Sequence, residues 1–229
     1  MLLPLLIVLV AIGAGYLAGG RLRGFEALHL RWWLLAPLGL AMQLAPIPTD
    51  GDPVREAIAA GVLVASFPVL LLFLGVNRRV PGFALIFVGL VLNLVVIAPN
   101  GGMPVSPSAI RTAGGTEADV QELAGSADVK HHVRGEDDVL AVIGDTIPIA
   151  PLGTVVSLGD LVAYAGAAWV VIGAMLRPAP RREDPPSTHR PARGYRGKHR
   201  PGALPAAEPR RRGRSRPVPA AAARSGTAP

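Results

Sequence analysis

The sequence predicts an all-α membrane protein: a bundle of about five transmembrane helices over residues 1–176, a long external loop within it, and a disordered basic tail over residues 177–229. Half of the 229 residues are hydrophobic and only 17% are charged, with a mean hydropathy of +0.40, which is not the composition of a water-soluble surface. The tail holds 14 of the 23 Lys and Arg but 3 of the 16 acidic residues, so it carries +11 and the remainder −4. The net charge of +7 therefore belongs to one segment, and the chain as a whole does not have the pattern of a basic nucleic-acid-binding protein.

Five stretches are long and apolar enough to be membrane spans. Crossing ~30 Å of hydrocarbon at ~1.5 Å of helical rise per residue takes about 20 residues. The stretches contain no Lys or Arg and cover residues 2–19, 32–48, 57–76, 80–99 and 154–176. The second is interrupted by Pro37, Gln43 and Pro46, but it begins with Trp32 and Trp33, which are typical of a membrane interface.

The loops between these spans alternate in positive charge. The first loop has three Arg, the second one Arg and the third two Arg, while the external loop (residues 100–153) has three basic residues against eight carboxylates. Because positive residues favour the cytoplasmic side, the first and third loops and the tail are predicted to be cytoplasmic. With five spans in a bacterial inner membrane, the N-terminus is then outside. The basic residues follow the first span instead of preceding it, so we expect a retained anchor and not a cleaved signal.

Small residues recur every four positions in three of the spans. The rows are Ala11, Gly15 and Gly19; Ala57, Gly61 and Ala65; and Gly159, Ala163 and Ala167. Such rows allow helix backbones to approach closely in lipid, so they predict a compact bundle, with a homodimer face as the alternative.

The tail is rich in Pro and Arg and has almost no large aliphatic residues, so it is predicted to lack a core. A cytoplasmic basic segment gains about 1 kcal/mol per charge near anionic lipid. We therefore expect the lipid bilayer, and anionic inner-leaflet lipids in particular, as partners in preference to nucleic acid; the sequence identifies no protein partner. The arginines of the most basic run are Arg210, Arg211, Arg212, Arg214 and Arg216.

The external loop has its own structural signals. A helix is predicted from about Ser106 to Leu123, with either Ser106 or Ser108 as its cap and a break at Gly114 and Gly115. The apolar stretch 139–152 is too short to span a membrane, so it is expected to be re-entrant or to lie on the bundle.

Polar residues of the spans concentrate in the outer half of the membrane. Asn93 and Asn100 come late in the outward-running fourth span, and Ser157 and Asp160 come early in the inward-running fifth. A charged residue in the membrane is costly, so Asp160 is expected to face a wet cavity or the bundle interior. The structural alternative is that Gln43 and Asn93 form interhelical hydrogen bonds while Asp160 caps the fifth span near Ser157. The full candidate polar site is Asn93, Asn100, Gly101, Gly102, Met103, Pro104, His131, Asp145, Ser157 and Asp160.

Motifs of known catalytic or cofactor sites are absent from the sequence. There is no Gly-x-Ser-x-Gly elbow, no phosphate-binding lysine loop, no dinucleotide fingerprint and no Cys. His131 and His132 could bind a metal together with Asp137 or Asp138, but their spacing matches no zinc signature. We therefore expect neither a metal nor a cofactor.

Several short motifs occur in a fixed order along the second half of the bundle. They are Asn93, Asn100-Gly101-Gly102-Met103-Pro104-Val105, Lys130-His131, Gly144-Asp145 and Val156-Ser157-Leu158-Gly159-Asp160. This order resembles the bacterial membrane proteins grouped as domain of unknown function 5317, over roughly residues 1–176. The resemblance implies an integral membrane protein without an assigned reaction, so it implies no catalytic residues.

The sequence is compatible with three functions. The favoured one is a non-enzymatic bundle that binds or conducts a small solute, ion or proton at the outward-facing polar site, where His131, Asp145 and Asp160 could relay a proton. The first alternative is a membrane scaffold or regulatory subunit that uses the basic tail. The second is a membrane-embedded enzyme acting on lipid or envelope material, with His131 and Asp160 as acid and base.

Overall fold

The computed structural model of the chain describes residues 2–47, 51–126 and 129–178. The rest of the predicted tail, including its expected disorder and its lipid-binding arginines, lies outside the described residues. The described chain is mostly helical. Its helices are α1 (Leu2–Leu17), α2 (Leu35–Leu44), α3 (Pro53–Val76), α4 (Phe83–Asn100), α5 (Pro107–Thr112), α6 (Glu117–Gly125) and α7 (Leu158–Met175).

Three of these helices, α3, α4 and α7, are long and apolar enough to cross a membrane. The first and second predicted spans form the shorter helices α1, of 16 residues, and α2, of 10 residues. A 10-residue helix rises only about 15 Å. Pro37 stands in the first turn of α2, where a missing backbone N–H is tolerated, and the helix ends before Pro46. The described fold is thus mostly helical, with three candidate membrane spans.

The closest helix contact joins α4 and α7, which run antiparallel. Gly89 faces the backbone of Gly159 and Ala163, and a Cβ at Gly89 would lie 2.5 Å from the Gly159 carbonyl oxygen and 2.7 Å from the Ala163 nitrogen. Gly166 makes an equally close approach to Ile86. Small residues permit this approach because no side chain stands between the backbones.

Of the predicted small-residue rows, that of the fifth span packs against α4, that of the first span packs through Ala11 and Gly15 but not Gly19, and that of the third span is exposed. Ala11 is buried, and a Cβ at Gly15 would lie 2.5 Å from the Met175 sulfur, so α1 and α7 run in the same direction side by side. By contrast, nothing lies within 4 Å of a Cβ placed at Gly61 or Gly19.

Helix α2 packs antiparallel along α3, where Gly39 fits against the Leu70 side chain. The buried Asn77 at the end of α3 holds the loop that precedes α2, because its amide both accepts from the Arg31 N–H and donates to the Arg31 carbonyl, each at 2.8 Å. The rings of Phe73 and Phe83 pack 5.5 Å apart where α3 meets α4.

These connections collect positive residues at one end of the bundle. The Arg21 N–H donates to the Met175 carbonyl at 2.8 Å, and Gly24 lies against the Ala174 carbonyl, so the first loop meets the end of α7. The loop between α3 and α4 lies at the same end, through the hydrogen bonds of Asn77. We call this region the basic end and define it by Arg21, Arg23, Arg31, Arg78, Arg79 and Arg177.

The external loop corrects the all-α prediction, because it contains short strands. They are β1 (Met103–Val105), β2 (His131–Val133), β3 (Ile147–Ile149) and β4 (Thr154–Val156). Strands β1 and β2 pair in parallel and β3 and β4 antiparallel. The predicted helical break at Gly114 and Gly115 is present between α5 and α6. The stretch 139–152 forms two 3-10 turns (Ala141–Ile143 and Ala150–Leu152) and β3 instead of an apolar helix.

A buried apolar cluster fastens this loop to the bundle. Leu63 and Phe67 of α3 pack with Val96 and Ile97 of α4 and with Met103 of β1. Because β1 follows α4 directly, the external loop starts from a rigid point.

We expect Gly89→Ala to lower the free energy of unfolding by about 1–3 kcal/mol, because its Cβ meets backbone atoms of α7 that no side-chain rotation can clear. The measurement is reversible unfolding in mixed micelles. The matched control is Gly61→Ala, which has open space in a helix interior and is expected to be neutral or to stabilise by about 0.5–1 kcal/mol. Equal effects of the two substitutions would contradict the close contact of α4 and α7.

Candidate functional site

The candidate polar residues at the start of α7 form a closed hydrogen-bond network with α4. Ser157 is the N-cap of α7: its hydroxyl accepts from the Asp160 N–H at 2.9 Å, while the Asp160 carboxylate accepts from the Ser157 N–H at 3.1 Å. This reciprocal arrangement is a capping box. Asn93 extends it, donating to Asp160 Oδ1 at 2.8 Å and accepting from the Ser157 hydroxyl at 2.9 Å.

This network is structural in its geometry. Ser157 is fully buried, and both oxygens of Asp160 accept a hydrogen bond. A Cβ on Gly159 would collide with Asn93 Oδ1, so the glycine is what lets the amide reach the cap. Polar groups that satisfy one another in this way stabilise a unique packing.

The segment from Asn100 to Pro104 connects α4 to the external loop. Asn100 donates to the carbonyl oxygens of Val96 and Val139, both at 2.8 Å, and accepts from the Val139 N–H at 2.9 Å. Gly101 then reverses the chain with φ of 70°. The buried Gly102 leaves no room for a side chain beside the Val129 carbonyl.

Asp145 is held in the middle of the loop by backbone hydrogen bonds. Its N–H donates to the Pro104 carbonyl at 3.1 Å, and its own carbonyl accepts from the Ser106 N–H at 2.9 Å. The carboxylate side chain is only 9% exposed. Its Oδ2 lies 3.8 Å from His131 Nε2, and its Oδ1 is buried with no hydrogen-bond partner in the part of the chain that the structure describes.

Burial raises the pKa of Asp145 to about 7, with a further contribution from the negative charge of Asp160. Tyr164 of α7 interacts electrostatically with both carboxylates. Within the described ranges, however, no hydrogen bond links the carboxyl groups of Asp145 and Asp160, since the latter is engaged by Asn93 and Ser157. The proton relay through His131, Asp145 and Asp160 is therefore not a continuous hydrogen-bonded path here.

His131 and Asp145 face an open cleft of about 450 Å³. Its other walls come from segments that the candidate site did not include: the glycine turn after α5, the carboxylate of Asp119 in α6, and the turn between β3 and β4. The principal lining residues are Val105, Ile110, Gly115, Asp119, Leu123 and Thr154. The sequence signal for Asp119 is its position three residues after Thr116. The two residues form a second capping box, at the start of α6.

His132 lies apart from this cleft. Its Nε2 is 3.0 Å from Asp138 Oδ1, while the Gly135 N–H bonds Asp138 Oδ2 at 2.7 Å. Burial acts to raise the pKa of Asp138, but the hydrogen bonds from Gly135 and His132 outweigh it and the pKa is lowered. His132 instead lines a second open cavity, of about 480 Å³, together with Asn100 and Gly101. Among the described residues, no three His, Asp or Glu side chains are grouped as a metal site would require.

The candidate site thus separates into three parts: the closed network of Asn93, Ser157 and Asp160, the connection from Asn100 to Pro104, and the cleft with His131 and Asp145. Gln43, for which an interhelical hydrogen bond was the structural alternative, lines a separate cavity of about 110 Å³. Among the residues that the structure describes, Asp145 in the cleft has the one buried side-chain oxygen without a hydrogen-bond partner.

Comparison with known proteins places this architecture in a family. The model of a family of unknown function, DUF5317, matches residues 27–172, and the chain belongs to that family. An uncharacterized protein of Thermotoga maritima is 35% identical over 117 residues, which cover 49% of this chain and 62% of the relative. The chain therefore spans less than two thirds of the length of that relative. No solved structure matches the chain.

We expect the interhelical network to be energetically coupled. Asn93→Leu leaves the Ser157 hydroxyl and the Asp160 carboxylate without a partner in α4, which should cost about 1–3 kcal/mol of unfolding free energy. Ser157→Ala also removes the cap. Because both changes disrupt one network, their combined effect should differ from the sum by about 0.5–3 kcal/mol in a double-mutant cycle. Additive effects would show that the hydrogen bonds do not act together.

We expect Asp145 to make stability depend on pH. Between pH 4 and 7 the folded chain keeps a proton that the unfolded chain, with the ordinary pKa of 3.8, has lost. The contribution of Asp145 is therefore fully present below pH 4 and is lost as the pH rises to about 7. Asp145→Asn should abolish this decline, which amounts to at most about 4 kcal/mol, in unfolding measured from pH 4 to 8. The exposed Asp137→Asn is the control, and wild-type slopes in both variants would refute the assignment.

Proposed function

We propose that this integral membrane protein binds a small cationic or hydrogen-bond-donating solute in the cleft that contains His131 and Asp145. The observation that carries the proposal is Asp145, which lines the cleft and whose buried Oδ1 has no hydrogen-bond partner among the described residues. Burial of a carboxyl group with incomplete hydrogen bonding is costly, and a ligand that brings a positive charge or a hydrogen-bond donor to this group lowers that cost.

The composition of the cleft supports this class of solute. Its volume of about 450 Å³ is in the range of small-molecule sites. Asp119 and Asp145 provide two carboxylates, and apolar walls from Val105, Ile110 and Leu123 surround them. A small organic amine matches both features, since its ammonium group can reach a carboxylate while its carbon atoms contact the apolar walls.

The five-span topology and its orientation are part of the proposal. Directions alternate: α1, α3 and α7 run toward the basic end, and α2 and α4 run away from it. The segment from Arg31 to Ile47, which contains α2, lies along α3 from Asn77 to Ala59. That part of α3 rises about 27 Å, so the length of the segment is close to the thickness of the hydrocarbon layer. With the basic end in the cytoplasm, the N-terminus and the cleft are outside and the C-terminus is cytoplasmic in a bacterial inner membrane.

The two alternatives lack a specific observation in their favour. In the membrane-enzyme hypothesis, Asp160 acts as an acid or base, but both of its oxygens already accept hydrogen bonds from Asn93 and Ser157. The scaffold hypothesis depends on the tail, which lies outside the described residues beyond Pro178. Solute binding at Asp145 is therefore the function that the geometry supports best.

The test is thermal unfolding of the full chain in detergent with methylammonium, ethanolamine or choline at constant ionic strength. We expect the amines to raise Tm at pH 8, where Asp145 is ionised, and to have little effect at pH 5.5. Because the proton competes with the cation, the apparent Kd should rise about tenfold for each pH unit below 7.

Two variants separate this effect from general charge attraction. Asp145→Asn should abolish the Tm increase, whereas Asp137→Asn, an exposed change of equal charge in the same loop, should preserve it. Acetate serves as the anionic control. An equal Tm increase in Asp145→Asn, or with acetate, would rule out the cleft as an amine site.

A further inference from the structure

A separate cavity of about 460 Å³ lies at the basic end, far from the cleft along the bundle. It is formed by the loop before α2 and the loop between α3 and α4. The charged and aromatic residues around it are His29, Arg31, Trp32, Arg78 and Arg79. Arg31 is thereby brought to the same depression as the adjacent Arg78 and Arg79, which lie more than forty residues further along the chain.

Hydrogen bonds hold the backbone around this cavity in place. Asn77 is only 5% exposed, and its side-chain amide bonds both the N–H and the carbonyl of Arg31 and also the Phe73 carbonyl, all at 2.8 Å. Trp32 next to it has φ of 52°, an uncommon conformation for a non-glycine residue that surrounding contacts must maintain. The backbone that carries Arg31 and Trp32 is therefore anchored to the end of α3.

The charge of the cavity is not neutralised by neighbouring carboxylates. Within residues 2–47, 51–126 and 129–178, Arg31, Arg78 and Arg79 form no salt bridge with Asp or Glu. Arg is suited to phosphate, because its planar guanidinium can donate two parallel hydrogen bonds to the phosphate oxygens. The cavity thus has the chemistry of a phosphate site.

An apolar groove of about 360 Å³ continues from this cavity along the outside of α4. The two share Gly75 and Arg78. The groove is lined by Phe83, Phe87 and Val88, which lie on one helix face, and the latter two are 38% and 48% exposed. A cationic depression that opens into an apolar groove complements a molecule with an anionic head and a hydrocarbon chain.

We propose that this composite surface binds an anionic phospholipid, with its phosphate at Arg31, Arg78 and Arg79 and an acyl chain along Phe83, Phe87 and Val88. Trp32 and Trp33 at the same end have the amphipathic character of residues that sit at headgroup level. A basic depression between membrane helices, at the end that the positive-inside bias assigns to the cytoplasm, is a typical place for such a headgroup. This site differs from the tail arginines, because it selects a lipid by shape as well as charge.

The experiment titrates the full chain, in non-ionic detergent, with palmitoyl-oleoyl phosphatidylglycerol or with phosphatidylcholine that has the same acyl chains. Bound lipid is counted by native mass spectrometry. We expect phosphatidylglycerol to bind about tenfold more tightly or better, and the double substitution Arg78→Gln/Arg79→Gln to reduce its affinity by about fivefold for each charge removed.

The matched control is Arg21→Gln/Arg23→Gln, which removes the same charge at the same end but outside the cavity lining. It should leave the preference for phosphatidylglycerol over phosphatidylcholine within about twofold, because the site requires contact with the phosphate. Phe87→Asn should weaken binding of both lipids by shortening the apolar contact. If Arg78→Gln/Arg79→Gln does not purify as a monodisperse protein, Arg31→Gln replaces it, with an expected fivefold loss.

Two results would overturn the proposal. Equal losses in the two double variants would mean that diffuse charge, and not this cavity, attracts the lipid. Displacement of phosphatidylglycerol by millimolar glycerol phosphate or inorganic phosphate, with no effect of Phe87→Asn, would mean that the cavity takes a soluble phosphate instead of a lipid.

Discussion

The close approach of α4 and α7 is the contact on which the other parts of this molecule depend. Gly89 and Gly159 bring the two backbones together, and only at that distance can Asn93 reach the cap of α7. The external loop leaves from the end of α4 and returns at the start of α7, so this contact also sets the separation of its two ends. The packing of α4 against α7 thereby contributes to closing a loop of more than fifty residues, which costs conformational entropy. The position of Asp145, bonded to the chain just after α4, follows from that anchoring.

The long helices could be predicted from the sequence, but the short elements could not. Hydropathy located α3, α4 and α7 to within a few residues, because an apolar run of that length has few alternatives in a membrane chain. The capping serine and the paired glycines likewise indicated where helices begin and break. The strands were missed because each has three residues, too few to show an alternating pattern, and because β1 pairs with β2 from nearly thirty residues away. The predicted second span, residues 32–48, is longer than α2, because the apolar composition continues past Leu44, where the helix ends.

The polar residues show a similar division. Residue type and expected membrane depth predicted Asn93, Ser157 and Asp160 in one half of the bundle, but depth does not reveal which side chains touch; the structure shows that these three are hydrogen-bonded. Pairing depends on helix rotation, which small steric differences at Gly159 determine. His131 and Asp145 come together only through the strands, which were not predicted. Asp119 of α6 lines the same cleft. The residues of the one predicted site therefore lie in three places: the network of Asn93, Ser157 and Asp160, the connection from Asn100 to Pro104, and the cleft.

The order of these elements along the chain also has a consequence for biosynthesis. Asn93 and Asp160 are 67 residues apart, and the partner of α1, Met175, is still further along. At a translation rate of about 5–20 residues per second, several seconds pass between the emergence of α4 and that of α7. During that interval the amide of Asn93 and the small-residue face of α1 have no partner from α7. The packing of α1 and α4 against α7 is therefore completed only after residue 175 has been synthesised.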